Sequence, residues 1–276
     1  MDFTFSTEQD DFRAAVRTTL QSEAPSTYVR AMVDDPVGVT PELWQTMASL
    51  GWLGVLVPED HGGLGLGLVD VVVLQEELGH LPFPGPFVSS AVGATLAAVR
   101  LGADDVLADL ASGRRRATVA VEEAGHGDPL AHIGARAKRD GDAWVLEGTK
   151  PVVLDGAHAD VAFVVADDGD GLATFELDRP AGDAVPGLDV TRKMARLVLD
   201  GRQARRVGPP GDQSSAWRRI LDDLNVALCA ELVGTAERAL ELAVDYAKAR
   251  VQFDRPIATF QVIKHKAADM LHHLEL

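Results

Sequence analysis

Three residues close to the C-terminal end of this 276-residue chain have the chemistry to hold a phosphorylated ligand: Arg250, Gln252 and Phe253. Arg250 carries a planar, permanently charged fork that suits a pyrophosphate. Gln252 adds an amide that both donates and accepts, and Phe253 adds an apolar face. Other chemistry is absent or weak. Gly-x-Ser-x-Gly and P-loop patterns do not occur, so a serine nucleophile elbow and a Walker-type phosphate cradle are excluded.

The remaining conspicuous residues favour structural roles. The glycines at 62, 63, 65 and 67 lack the spacing and the following acidic strand end of a dinucleotide loop, which predicts a structural turn. His265 and His272 lie seven residues apart with no surrounding Cys/His set, so no metal site is expected. Glu76 and Glu77 are neighbours on a helix and face apart, so they do not form a catalytic pair. Arg114, Arg115 and Arg116 suit a junction between domains. The lone cysteine, Cys229, sits in the apolar pattern Leu224, Leu228, Leu232, which predicts a buried, inert thiol. A net charge of −16 repels phosphate backbones and argues against nucleic-acid binding. The acidic N-terminus lacks the basic and apolar regions of a signal peptide, and no apolar run reaches membrane-spanning length. The expectation is a cytoplasmic protein.

The periodicities that must position these groups change twice along the chain. Residues 1–115 are predicted mainly helical: Ser6 or Thr7 caps a helix bearing Phe12, Val16 and Leu20, and Pro41 opens another with Leu43 and Met47. A further helix carries Val69, Val73, Leu74 and Leu78 and is expected to end at Gly79, with Pro82, Pro84 and Pro86 keeping the next stretch extended. Residues 116–208 alternate. The Asp140-Gly141 turn between two strand-like runs predicts a hairpin, and the runs 161–166 and 172–177 flank an Asp/Gly turn. Several short strands predict a small β-barrel or sandwich. Residues 214–276 return to helix, one long element to about Arg250 and a second from about Thr259. The last helix stops mid-pattern, which predicts a fragment or shortened gene and an incomplete helical-bundle domain. The fold class is therefore α+β and multidomain: N-terminal helical domain, central β-barrel or sandwich, C-terminal helical bundle.

The order and motifs of these blocks resemble the acyl-CoA dehydrogenase family over nearly the whole chain. The run 250–261 is similar to the family's Arg-x-Gln-Phe-Gly-x-x-Ile-x-x-Phe-Gln segment. Residues 5–9, 52–65, 76–79, 148–150 with 157–160, and 260–261 with 265–270 resemble its other motifs in the right order. The resemblance implies FAD as cofactor and an acyl-CoA thioester as substrate. A carboxylate removes the α-proton while the flavin accepts the β-hydride. It further implies that Arg250, Gln252, Phe253, Ile257, Phe260 and Gln261 reach across a subunit interface to the ADP half of a neighbour's FAD.

The chain departs from the pattern on the flavin-ring side. Val121 and Gly127 stand where the family's ring loop carries hydroxyls. After Gly148-Thr149-Lys150, the run Val152-Val153-Leu154-Asp155 replaces an aromatic, an Ile, a hydroxyl residue and an Asn. Leu224-Asn225 stands where some members place the catalytic Glu on the long helix, so the catalytic base is unknown. Glu231 and Glu241 are the other carboxylates of that helix to be considered. Three functions fit: a subunit lending ADP-half contacts to another acyl-CoA dehydrogenase subunit, a fragment of a self-sufficient dehydrogenase, and a non-enzymatic scaffold of the same fold.

Overall fold

The structure, a computed structural model, describes residues 4–123, 127–141 and 143–276. Helices fill the first part: α1 (Thr7–Glu23), α2 (Ser26–Met32), α3 (Pro41–Ser49), α4 (Leu68–His80), a π-helical segment Phe87–Ala94, α5 (Thr95–Leu101) and α6 (Leu107–Ala111). Local chemistry fixes their starts. Ser6 Oγ accepts from the amide of Gln9 while Gln9 Oε1 accepts from the amide of Ser6, a reciprocal cap on α1. Thr40 Oγ1 accepts from Leu43 and Pro41 occupies the first turn of α3.

Nine strands follow: β1 (Ala117–Ala120), β2 (Arg136–Asp140), β3 (Ala143–Glu147), β4 (Thr149–Leu154), β5 (Val161–Asp167), β6 (Leu172–Asp178), β7 (Asp183–Val185), β8 (Met194–Val198) and β9 (Arg202–Val207). One edge of β5 takes β1 in parallel and then β2, and its other edge takes β6. Strand β6 pairs with β9, β9 with β3, and β3 with β2, so the ladder returns to β5 and closes a small barrel. Strands β4, β8 and β7 form a second sheet.

Strand β5 is buried on both faces, and its period of two divides the molecule's cores. Val161, Phe163 and Val165 face a core shared with the N-terminal helices and the long helix α7 (Ser214–Ala249). Ala162, Val164 and Ala166 fill the barrel with Phe175, Leu177 and Leu197. After α7 come β10 (Val251–Gln252), β11 (Arg255–Pro256) and α8 (Gln261–Glu275).

Two expectations change. Gly79 does not end α4, which runs one residue further to His80. A Cβ at Gly79 would stand 2.0 Å from the Glu231 carbonyl oxygen, and one at Gly234 would stand 1.9 Å from the Glu76 carbonyl oxygen. These glycines let α4 and α7 cross backbone to backbone. Cys229 is exposed, not buried, because α7 turns only part of its apolar pattern inward. The Arg114–116 run does join two blocks: Arg114 pairs with Asp109 of α6, Arg115 pairs with Asp178 of β6, and the Arg116 amide donates to Asp160. Glu77 is buried and bound by Arg13 and Arg17, a structural role. Among the described residues there is no cluster of three or more potential metal ligands, and no helix is long and apolar enough to cross a membrane.

Candidate functional site

Two places carry the residues singled out by sequence, one near each end of α7. The first is a cavity of about 670 Å³ between the π-helical segment, the barrel and α7. Val121, Val152, Leu154, Leu224 and Asn225 all line it, so these five departures from the family pattern share one space. Of the run 121–128, Ala124, Gly125 and His126 lie outside the described residues, and Gly127 has φ +103 with open space where a Cβ would stand.

Buried polar links fix the cavity walls. The Trp217 indole donates to Thr174 Oγ1 (2.8 Å), Thr174 donates to Gln213 Oε1 (2.6 Å), and Gln213 Nε2 donates to the Val207 carbonyl (2.8 Å). This chain ties the start of α7 to β6 and β9, and its satisfaction is what makes its burial tolerable. Lys150 is fully buried in β4; its Nζ donates to the Val121 carbonyl (2.9 Å) and to Glu123 Oε1 (2.7 Å). Glu123 also accepts from the Gly134 and Ala135 amides. Burial lowers Lys150 to about 8 against the pull of Glu123. Burial pushes the Glu123 carboxyl up, but Lys150 and the two amides outweigh it and leave it below the usual range.

Asp155 sits behind the cavity with φ +55, a conformation that Asp tolerates better than most residues. Its Oδ2 lies 2.5 Å from Ser89 Oγ, which also reaches the Pro86 carbonyl at 3.1 Å. Ser89 has one proton to share between its two acceptors, Asp155 Oδ2 and the Pro86 carbonyl. Burial raises Asp155 to about 6, opposed by the Ser89 bond and by Arg192, Arg116 and Lys193.

The cavity holds no side-chain donors in the positions that the resemblance assigns to ring contacts. Val121, Val152 and Leu154 are aliphatic, and the Thr118 hydroxyl is spent on the Leu154 carbonyl at 2.6 Å. Carboxylates on α7 are also committed: Glu231 pairs with Arg192, and Glu241 with His80 and Arg238. Asp222 is the α7 carboxylate that does reach the cavity, with Asn225 beside it. Sequence reasoning passed over Asp222 because it sits off the family's base position; its spacing from Arg218 and Asn225 was the available signal.

The second place is the hairpin β10–β11. Gln252 pairs with Arg255, and Phe253 and Asp254 between them have φ +54 and +61, the two-residue turn with both central residues left-handed. This turn holds Phe253 86% exposed. The Phe253 and Phe260 rings meet edge to face at 6.1 Å, and the Arg255 guanidinium lies 4.2 Å from the Phe260 centroid. The Arg250 carbonyl accepts from the Ile257 amide (2.8 Å), while the Arg250 side chain has no partner among the described residues. Gln261 begins α8, exposed. The structure thus gathers Arg250, Gln252, Phe253, Ile257, Phe260 and Gln261 into one unit. It does not bring them to the cavity: Leu224 and Arg250 are separated by about 39 Å of helix at 1.5 Å per residue.

Helices, a small closed barrel and a long return helix, with a cavity where the three meet, define the architecture of the flavin-dependent acyl thioester dehydrogenases. Sequence comparison agrees. The model of the acyl-CoA dehydrogenase N-terminal domain matches residues 6–114, and that of the acyl-CoA dehydrogenase C-terminal domain matches residues 216–276. The chain belongs to the acyl-CoA dehydrogenase family, FAD-dependent oxidoreductases acting on CH–CH groups. It is 32% identical to acyl-CoA dehydrogenase FadE27 of Mycobacterium tuberculosis over 284 residues, covering 98% of this chain and 72% of that protein. A solved variant of the Tcur3481–Tcur3483 steroid ACAD superposes with TM-score 0.86 at 33% identity, covering 97% of this chain and 74% of that one. The ChsE4–ChsE5 complex from Mycobacterium tuberculosis superposes with TM-score 0.87 at 28% identity, covering 100% and 76%.

FAD fits this chain in one half. The hairpin offers an unpaired guanidinium, an amide and exposed aromatic faces, which suit a pyrophosphate and an adenine. The aliphatic cavity wall does not fit the polar edge of a flavin ring.

Proposed function

We propose that this chain is one subunit of a hetero-oligomeric acyl-CoA dehydrogenase and lends its hairpin to the ADP half of FAD in the partner's active site. The partner supplies the ring site and the carboxylate base. The observation that carries this reading is the pairing of an intact, unpartnered hairpin with a cavity stripped of ring contacts. FAD bound in the partner would supply the acceptor for the β-hydride of the acyl thioester. This chain's part is to bind and orient: Arg250 opposite the pyrophosphate, Gln252 and Gln261 as amide contacts, and Phe253, Ile257 and Phe260 as the apolar support.

Leu232, Leu242, Tyr246, Val262, Met270 and Leu271 expose apolar area along α7 and α8, which supports packing of this face against further helices. The two-component names of the Tcur3481–Tcur3483 and ChsE4–ChsE5 neighbours support assembly from unlike subunits. The reading places the assembly in the cytoplasm, where its CoA thioester substrate is made. Co-expression with each candidate second subunit, followed by a visible spectrum, tests it. The expected result is a colourless chain alone and a yellow complex; a stoichiometric flavin in the chain alone would overturn it.

A further inference from the structure

The cavity keeps a chemistry that the lent hairpin does not use. Arg218, Asp222 and Asn225 line it from α7 at intervals of four and three residues, which puts them on one strip of the helix. Arg218 is committed to Asp128 at 2.8 Å. Asp222 and Asn225 have no hydrogen bond or ion pair among the described residues. The opposite wall, from β1, β4 and the segment after β1, carries an aliphatic strip of Val119, Val121, Leu130, Val152 and Leu154 beside the polar Thr118, Glu122 and Asp128. The cavity therefore sets two exposed polar groups of α7, without a protein partner among the described residues, against an aliphatic strip that offers dispersion and apolar burial.

Charge narrows the ligand class. Among the described residues, the ionisable groups lining the cavity are Glu122, Asp128 and Asp222 against Arg218, an acidic excess. That set repels carboxylates and phosphates near the strip. An ionised Asp222 accepts hydrogen bonds and donates none, so the ligand must bring a donor. The volume of about 670 Å³ lies within the range that encloses a small organic ligand.

We propose that this cavity is a flavin-free binding site for an uncharged, largely aliphatic alcohol. Its hydroxyl donates to Asp222 and accepts from the Asn225 amide, and its hydrocarbon body lies on the aliphatic wall. The site is independent of the hairpin, which is about 39 Å away along α7, so it stands whether or not the chain lends contacts to a partner.

Equilibrium dialysis of the purified chain at pH 8 tests this with three probes: 1-decanol, decanoate and FAD. One decanol per chain is expected, with decanoate weaker by about tenfold or more through repulsion by Asp222. Asp222→Asn should close that gap, because it removes the charge and keeps an acceptor. Filling the cavity with Leu224→Trp should abolish decanol binding. Val152→Trp, at a half-open position of the opposite wall, gives the same readout should the first variant fail to fold. Decanoate binding as tightly as decanol, FAD binding at one per chain, or decanol binding that survives both filled variants would each overturn the proposal.

Discussion

The two ends of α7 present opposite chemistry. At the hairpin, every position that meets the ADP half of FAD in the resemblance is kept save Asp254, and Asp tolerates the left-handed φ of +61 found there. At the cavity, clamp, capped helices and polar pins build the walls, and the positions that the resemblance assigns to ring contacts and that line it, Val121, Val152 and Leu154, are aliphatic. Shape is a product of core packing, which the fold needs for its own stability. Ligand chemistry at a wall is needed only by the ligand. A region can therefore lose its function while keeping its form, whereas an exposed hairpin has no fold-level reason to keep a strained aromatic.

The largest expected effect concerns turnover. Alone, with added FAD and an artificial electron acceptor, this chain should oxidise no acyl-CoA. Leu224→Glu should not restore activity, because a base without a held flavin ring has no hydride acceptor beside it. With the right partner, activity should appear. Turnover by the isolated chain would erase the contrast between the two regions.

Next in size is the residue after the cavity-lining Leu154. Asp155 is raised from 3.8 to about 6, so the folded state holds a proton that the unfolded chain releases. Its contribution is fully present below about pH 4 and is lost as pH rises through 6, a change on the order of 2–3 kcal/mol. Urea titrations between pH 4 and 7 should show that fall in the wild type, and Asp155→Asn should flatten it. An unchanged slope in the variant would place the proton elsewhere.

Arg250→Ala sharpens the other side. Loss of a charge-assisted bond to pyrophosphate should weaken FAD retention in the assembled complex by about one to two decades. The melting temperature of the subunit should hold, since the side chain is exposed and unpartnered. A mutant complex that keeps its flavin through dialysis would remove the lending role.

The smallest effect is the most diagnostic. Phe253→Gly should relieve a left-handed non-glycine residue and stabilise the chain by roughly 1 kcal/mol, while flavin retention in the complex falls. A variant that is stabler and binds as well would mean that Phe253 has no ligand to meet.

Much of this was legible in the residues. The hairpin was, because its six positions lie within twelve residues and need no distant element to assemble them. The long helix, the β5–β6 hairpin and the capped N-terminal helices were, because each has its own periodicity and end signals. Strands β4 and β8 were not predicted: β4 shifts register between Lys150 and Val153, and β8 draws its identity from pairing with it. Gly79 and Cys229 were misplaced for one reason, that burial on α7 depends on where α4 crosses it.

The sequence by itself determined the order of helices, strands and helices, the family, and the set of ligand-facing positions that had changed, since these are local patterns of residue type. Only the tertiary structure decided that Val121, Val152, Leu154, Leu224 and Asn225 line one cavity, that Asp222 and Asn225 line it without a partner among the described residues, and that the hairpin stands at the far end of the same helix. Those facts rest on the α4–α7 crossing at Gly79 and Gly234 and on the Trp217–Thr174–Gln213 pins. Each is a contact between residues far apart in the chain, and no local pattern encodes which distant backbone will meet a glycine.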